Sequence, residues 1–473
     1  MKELLKKIRA HNIDIKVEKG NLKLQVPNNV DVKNIISEIK YNKEELIIYI
    51  TNILNQNSKF DLIPKAKEQS NYPLSSAQKR LYVLQQFDLE STAYNMPKII
   101  PLGKEVDKLK IEEVFNQLID RHESFRTSIE VVNQDPVQVI SKDVAFEIEK
   151  LSIENTEVEH NFNKFIKPFN LSKAPFLRVA IVEVKGEDSI LMIDMHHIIS
   201  DGASHTILEK EFQALLSGEE LAPLALQYKD YSQWQNSKEQ QERIKEQEQY
   251  WLNKFAGEIP VLNLPIDYVR PLRQSHEGAT VKFVLSKEET KGLKLFTKEN
   301  DLTLYMSLLS VFNILLSKLS RHNDIVIGTP IAGRNHADLE NIVGMFLNTL
   351  AIRTEIKGEE SIHEFVSTIK QTVLGAYENQ NYQFEDLVDK LSVERKASHN
   401  PIFDVMFNLL NQAEYSGDIS GFNNQEKLHK TGMSKFDLTL TGIDYGEQLL
   451  LSFTYCKKLF NSETIDRFIS YFK

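Results

Sequence analysis

Cysteine is nearly absent from this chain: Cys456 is the only one in 473 residues. No internal disulfide can form, so a reducing, cytoplasmic setting is expected, with Cys456 itself an inert buried thiol. Long apolar runs are missing as well. No stretch approaches the roughly 18 apolar residues of a membrane span, and the N-terminus, MKELLKKIRAHNID, lacks the apolar segment of a signal peptide. Neither a membrane partner nor export is expected. Positive charge does not dominate: 57 Lys and Arg stand against 67 Asp and Glu, a formal net charge of -10. With no basic stripe interleaved with aromatics, nucleic acid drops out as a partner.

What is present suits a soluble globular chain, 41% hydrophobic and 26% charged, of about three folding units at roughly 150 residues each. Residues 1–56 read as a small domain in αββαα order. Leu4, Leu5 and Ile8 suggest a short amphipathic helix. Ile13, Ile15 and Val17 then alternate with Asp14, Lys16 and Glu18, and Leu22, Leu24 and Val26 alternate about Lys23 and Gln25, with a Gly20–Asn21 turn between. Two helices, 31–40 and 42–54, are expected to follow. A two-stranded hairpin has open edges, which are either protected or used to recruit a strand from a partner. Lys16, Lys19 and Lys23 around it would suit an acidic tail, or form only a solvated face. Residues 57–71 are polar, carry Pro64 and read as a linker.

From residue 72 onward helices and strands mix. YPLSSAQKRLYVLQQFD offers Ser75 or Ser76 as the cap of a helix with Leu81 and Leu84 on its inner face. Ile111, Val114, Phe115, Leu118 and Ile119 mark a helix over 108–122, and Ile207, Leu208, Phe212, Leu215 and Leu216 mark another. A highly polar helical connector starts at Gln235. Beyond it come the strand TVKFVLS, helices over 287–300 and 303–319, and the buried strand DIVIGTP. Such a mixture in both halves predicts an α/β (α+β) fold with two αβ sandwiches side by side, 72–240 and 241–473.

The stretch on which the rest turns is Leu191 to Ser204, LMIDMHHIISDGAS. An apolar strand runs into His196 and His197 and gives out at Asp201–Gly202, read as a turn. An imidazole at a strand end suits proton transfer near neutral pH, with the acid fixing the loop. It equally suits a satisfied core histidine. Metal ligation is disfavoured, because no further ligands stand at a characteristic spacing and neighbours on a strand point to opposite faces. One histidine is therefore expected to be buried and structural, the other to face a cleft.

Seven separated segments, in order, resemble the condensation domain of nonribosomal peptide synthetases: SSAQKRLYVL, RHESFRTSI, MHHIISDGAS, YKDYSQWQ, IGTPIAGRNHADLENIVGMFLNTL, NPIFDVMFNLLNQ and KFDLTL. The third carries HHxxxDG. Residues 1–56 resemble the N-terminal docking domains of the tubulysin-synthetase type. The resemblance implies two chloramphenicol-acetyltransferase-like lobes in a V shape with the histidine loop at their junction. It also implies a reaction in which a donor aminoacyl or peptidyl thioester passes to the amine of a second carrier-bound aminoacyl thioester. The substrates ride on phosphopantetheine arms of donor and acceptor carrier proteins, with no cofactor bound to the chain, and the docking hairpin captures the C-terminal tail of an upstream synthetase.

By the matched motif, His197 is the general base or the group that orients the amine, and Gly202 lets backbone approach the donor thioester. His196 is structural, and Asp201 pairs with Arg334 of the fifth motif. Arg80, Arg126, Tyr228 and Trp234 are expected to be scaffold, and Asn348 is left open between scaffold and chemistry. An epimerisation domain shares the motif but would follow a carrier domain. A heterocyclisation domain would place aspartate at position 196, and a non-catalytic recruitment module would be expected to have lost the second histidine. With no adenylation or carrier segment in it, the chain is expected to be a piece of a longer subunit.

Overall fold

A computed structural model describes residues 14–18, 21–25, 39, 62–103, 107–393, 396–410 and 430–473. The chain divides into two units between Pro64 and Lys65. In the first, β1 (Asp14–Glu18) pairs antiparallel with β2 (Asn21–Gln25), Lys16 standing opposite Lys23 and Glu18 opposite Asn21. Asn21 therefore belongs to the second strand rather than to the turn, a register set by a two-residue connection. Lys19 and, apart from a helical Ile39, the three helices expected around the hairpin lie outside the described residues.

Within the second unit, Lys65–Lys473, separate sheets with separate apolar cores mark two lobes. The first runs through β3 (Tyr72–Pro73), α1 (Ser76–Phe87), β4 (Lys98–Gly103), α2 (Lys108–Arg121), β5 (Thr127–Val132), β6 (Asp135–Ile140), β7 (Glu149–Ile153), α3 (Val158–Phe165), β8 (Leu177–Val184), β9 (Ser189–Met195), α4 (Gly202–Ser217), α5 (Tyr228–Gln235) and α6 (Lys238–Lys254). The second contains β10 (Glu277–Leu285), α7 (Lys287–Glu299), α8 (Leu304–Ser320), β11 (Asp324–Ile331), β12 (Asn348–Glu355), α9 (Ile362–Glu378), α10 (Phe384–Lys390), β13 (Val405–Leu410), β14 (Lys430–Met433), β15 (Leu438–Asp444), β16 (Leu449–Cys456) and α11 (Ser462–Phe472). Among the described residues the strands form sheets in the orders β4-β9-β8-β7, β3-β6-β5 and β12-β11-β13-β15-β16-β10-β14. The fold is thus mixed α/β in both lobes.

Local sequence accounts for these elements. Ser75 caps α1 in a reciprocal box with Gln78, and Leu81 is buried at 2% exposure. Leu84, expected inside, is 36% exposed, because α1 turns only a narrow stripe inward. The five apolar residues expected on α2 are all buried. Helix α8 is apolar nearly all round, as a helix enclosed by its own lobe must be, and it packs Phe312 against Phe407 and Phe453 of the long sheet. The polar helix α6 sinks Trp251 into that same core at its far end.

The two lobes are not independent in packing. Val343 and Met345, from the stretch between β11 and β12, lie in the core of the first lobe with Leu118, Phe125, Val179 and Ile198. Gly344 between them lies against Tyr228, whose ring an added Cβ would overlap. No single helix among the described residues is long and apolar enough to cross a membrane.

Two glycine substitutions test the packing. At Gly328 on β11 a Cβ would overlap the Phe403 ring, so Gly328→Ala is expected to destabilise by ~1–3 kcal/mol. At Gly292 within α7 a Cβ meets nothing within 4 Å, so Gly292→Ala is expected to stabilise by ~0.5–1 kcal/mol. Melting temperatures of the two variants should move in opposite directions.

Candidate active site

Strand β9 lies between β4 and β8 and stops at Met195. Beyond it the chain stays tied on both sides: the His196 N–H donates to the Phe176 carbonyl at 3.0 Å, and the His197 N–H to the Tyr94 carbonyl at 2.8 Å. One tight turn over His197–Ile199 leads to Asp201. The sequence reading made Asp201–Gly202 a turn; here Asp201 is the cap of α4, its Oδ1 accepting the Ser204 N–H at 2.8 Å, and Gly202 is the first helical residue. The reason is that a short acid before a helical run satisfies free N–H groups better than a turn does.

The two histidines are held in opposite tautomers. His196 is fully buried; its Nδ1 accepts the Ile198 N–H at 3.1 Å, so Nε2 carries the proton and faces Gln85 Oε1 at 3.3 Å. Phe169 and Phe176 meet its ring edge to face. Burial, helped by His197 and Arg178, brings its pKa down to about 3. It is a neutral ring enclosed by the core. His197 is partly open, with Nδ1 2.8 Å from the Ser200 carbonyl. A carbonyl can only accept, so Nδ1 holds the proton and Nε2 keeps a free lone pair. Among the described residues no protein group bonds that Nε2. Burial, and then the nearby Lys435, pull its pKa below the usual imidazole value, which favours the neutral ring.

Asp201 is sealed, 0% exposed, yet every face of its carboxylate is used. Oδ1 accepts from the Ser204 N–H, from the Ser204 hydroxyl at 2.7 Å and from Arg334 at 3.0 Å; Oδ2 accepts the Phe346 N–H at 3.1 Å. Arg334 also donates to the carbonyls of Leu339 and Ile342, at 2.6 and 2.7 Å, and lies 4.1 Å from the Phe346 ring centroid. The Ser204 hydroxyl in turn accepts the Gly344 N–H at 3.0 Å. The helix that follows the histidine loop is therefore bolted to a segment from the other half of the chain. Gly202 is exposed, and a Cβ on it would meet nothing within 4 Å, so open space adjoins the helix start.

The remaining residues singled out from sequence bind the framework. Arg126 donates to the carbonyls of Ile119, Asp120, Ser141 and Lys142. Asn348 uses both ends of its amide, donating to Gln380 and Tyr382 carbonyls and accepting the Thr349 and Phe384 N–H groups. Tyr228 joins Ser75 to the Met345 carbonyl. Arg80 pairs with Glu385 of the second lobe at 2.8 Å. Trp234 packs beside Tyr231 and His336. In the first unit, Lys16 and Lys23 are cross-strand partners.

Sequence reasoning missed Ser204, Tyr94 and Lys435. Ser204 had a signal, since it stands three residues after a capping acid, where the capped N–H belongs. Lys435 opens KFDLTL, the last of the seven segments, but nothing in the sequence joins it or Tyr94 to the histidine loop; only the tertiary fold does.

Comparison with known proteins bears on this arrangement. Residues 68–473 match the family described as Condensation domain. Bacitracin synthase 2 of Bacillus licheniformis is 41% identical over 475 residues, covering 99% of this chain and 18% of that protein. Gramicidin S synthase 2 of Brevibacillus brevis is 44% identical over 406 residues, 85% of this chain and 9% of its own length. The chain thus spans less than a fifth of either. Among solved structures, the X-domain from teicoplanin biosynthesis aligns with a TM-score of 0.75 at 19% identity, over 87% of this chain and 96% of its own. The EpoB cyclization-docking bidomain from Sorangium cellulosum aligns with a TM-score of 0.71 at 15% identity, over 100% and 97%.

Removing one partner of the buried pair leaves the other charge unmet. Arg334→Ala is expected to cost ~3–5 kcal/mol, read as a lowered denaturation midpoint. A double-mutant cycle with Asp201→Asn should return a coupling energy well above that of an exposed pair such as Lys238 and Glu242, 4.0 Å apart.

Proposed function

The chain belongs to the condensation-domain family, and on that footing we propose that it forms peptide bonds within a nonribosomal peptide synthetase. A donor aminoacyl or peptidyl group arrives as a thioester on the phosphopantetheine arm of one carrier protein. The amine of an aminoacyl thioester on a second carrier attacks its carbonyl. The C–N bond forms, the C–S bond breaks, and one amine proton leaves for the departing sulfur. The chain, lengthened by one residue, stays on the acceptor arm. No resident cofactor is needed, since both arms belong to substrates.

The observation that carries this reading is the state of His197: a neutral ring with Nδ1–H fixed on the Ser200 carbonyl and Nε2 left without a protein partner among the described residues, on the loop that leads into Gly202, where an added Cβ would meet nothing within 4 Å. A thioester is already activated and an α-amine is a fair nucleophile, so what remains for the protein is alignment and a place to hold one proton. His197 Nε2 accepts that proton or orients the amine that bears it. Gly202 leaves room for the donor arm. His196, Asp201 and Arg334 act by keeping the loop in shape.

In the same reading, residues 1–56 dock an upstream subunit, 57–71 link, and the lobes span 72–240 and 241–473, in the cytoplasm. The hairpin would take the C-terminal tail of that subunit along an open edge, with Lys16, Lys19 and Lys23 facing its acidic groups. The full-length alignment with a cyclization-docking bidomain and the hairpin register support it.

A mass-spectrometric assay with a donor-loaded and an acceptor-loaded carrier tests the reaction. The intact chain is expected to give dipeptidyl product on the acceptor carrier, and His197→Ala none, with a melting temperature nearly unchanged. Full activity in that variant would sink the assignment; carrier binding without product from the parent would favour a recruitment module. Gly202→Ala should fold normally and transfer slowly. Deleting residues 1–56 is expected to spare transfer at high donor-carrier concentration and weaken it at low concentration.

A further inference from the structure

Lys435 reaches the histidine loop from the opposite lobe. Its stretch of backbone is firmly held: its carbonyl accepts the side-chain amides of Gln274 at 2.9 Å and Asn400 at 3.2 Å. On either side the Ser434 N–H donates to the His276 carbonyl and the Asp437 N–H to the Asp404 carbonyl, both at 2.9 Å. From this anchor the ammonium extends to 4.9 Å from the centroid of the Tyr94 ring. The carbonyl of that same Tyr94 accepts the His197 N–H. Tyr94 thus touches both a cation of the second lobe, through its ring, and the backbone of His197, through its carbonyl.

The charges around this point are few. His197 feels Lys435 and, more weakly, Asp201, whose carboxylate is already committed to Arg334 and Ser204. His196 and His205 are its imidazole neighbours, both held neutral by burial. Tyr94 lies near Arg80 and Glu385, which are paired with each other. Lys435 feels Arg80, a second cation. Although the residue as a whole is exposed, its ammonium is enclosed enough that its own pKa is lowered. With Asp201 matched by Arg334 and Glu385 by Arg80, Lys435 leaves the balance beside His197 positive.

We propose that Lys435, held over Tyr94 by the second lobe, is a positioning residue that makes the cleft select the neutral imidazole of His197 and the neutral form of the acceptor amine. This rests on the peptide-forming function given above. An acceptor amine in water is largely an ammonium at neutral pH, and an ammonium has no lone pair with which to attack. A fixed positive charge disfavours that form and the imidazolium alike, each by the same Coulomb repulsion. The proton must then be shed before the amine enters, and Nε2 stays vacant for the one released as the C–N bond forms. Since cation and base come from different lobes, the effect exists only while the lobes face each other as they do here.

Two measurements on the intact chain test this, with Lys435→Met to remove the charge and Lys435→Arg to restore it. Single-turnover transfer at pH 6.5 and 8.5 should show Lys435→Met losing roughly tenfold more at the lower pH than at the higher, with Lys435→Arg close to the parent. A uniform loss at both pH values, or no loss, would overturn the proposal. Calorimetric binding at pH 6.5 of an aminoacyl-pantetheine and its deaminated analogue is independent of turnover. The parent should prefer the neutral analogue by roughly tenfold, and Lys435→Met should narrow that preference. A parent that does not distinguish the two ligands overturns it as well. Absence of peptide product from the parent would instead overturn the function, leaving the binding ratio to judge Lys435.

Discussion

The carboxylate of Asp201, sealed from solvent between two lobes, is what the histidine loop depends on. Arg334, the Ser204 hydroxyl and two backbone N–H groups meet its charge. A buried pair of this sort adds little net stability over well-packed apolar residues, but it tolerates only one arrangement, because any other strands a charge in low dielectric. The start of α4 is thereby fixed against the stretch around Gly344, and the turn carrying His197 is fixed with it.

Backbone bonding then decides the chemistry of two adjacent, identical side chains. His196 accepts through Nδ1 and points its proton at Gln85; His197 donates through Nδ1 and leaves Nε2 bare. One residue of chain separates a ring that fills a core from a ring that can take a proton. Both are neutral because burial penalises their charged forms, and in His197 a nearby cation adds to that penalty.

The aminolysis of a thioester proposed above asks little more of the protein than alignment and a place for one proton. The reactants bring their own activation, and alignment of bound reactants is where the largest rate gains in such reactions arise. Both lobes contribute to this region: His197 and Gly202 come from the first, Arg334 and Lys435 from the second. The packing of Val343 and Met345 into the first lobe's core keeps the contributors in register.

Much of this was written in short-range pattern. Alternation marked the β1–β2 hairpin, apolar periodicity marked α2 and α8, and the run into HHxxxDG marked the loop, because each depends on neighbours within a few residues. The resemblance of seven segments pointed to the Asp201–Arg334 partnership, which spacing alone could not. The tertiary structure decided the rest. It turned Asp201–Gly202 from a turn into a helix start, exposed Leu84, chose which histidine keeps a free lone pair, and brought Lys435 and Tyr94 to that histidine. Those outcomes hang on contacts between segments far apart in the chain, where no local periodicity carries information.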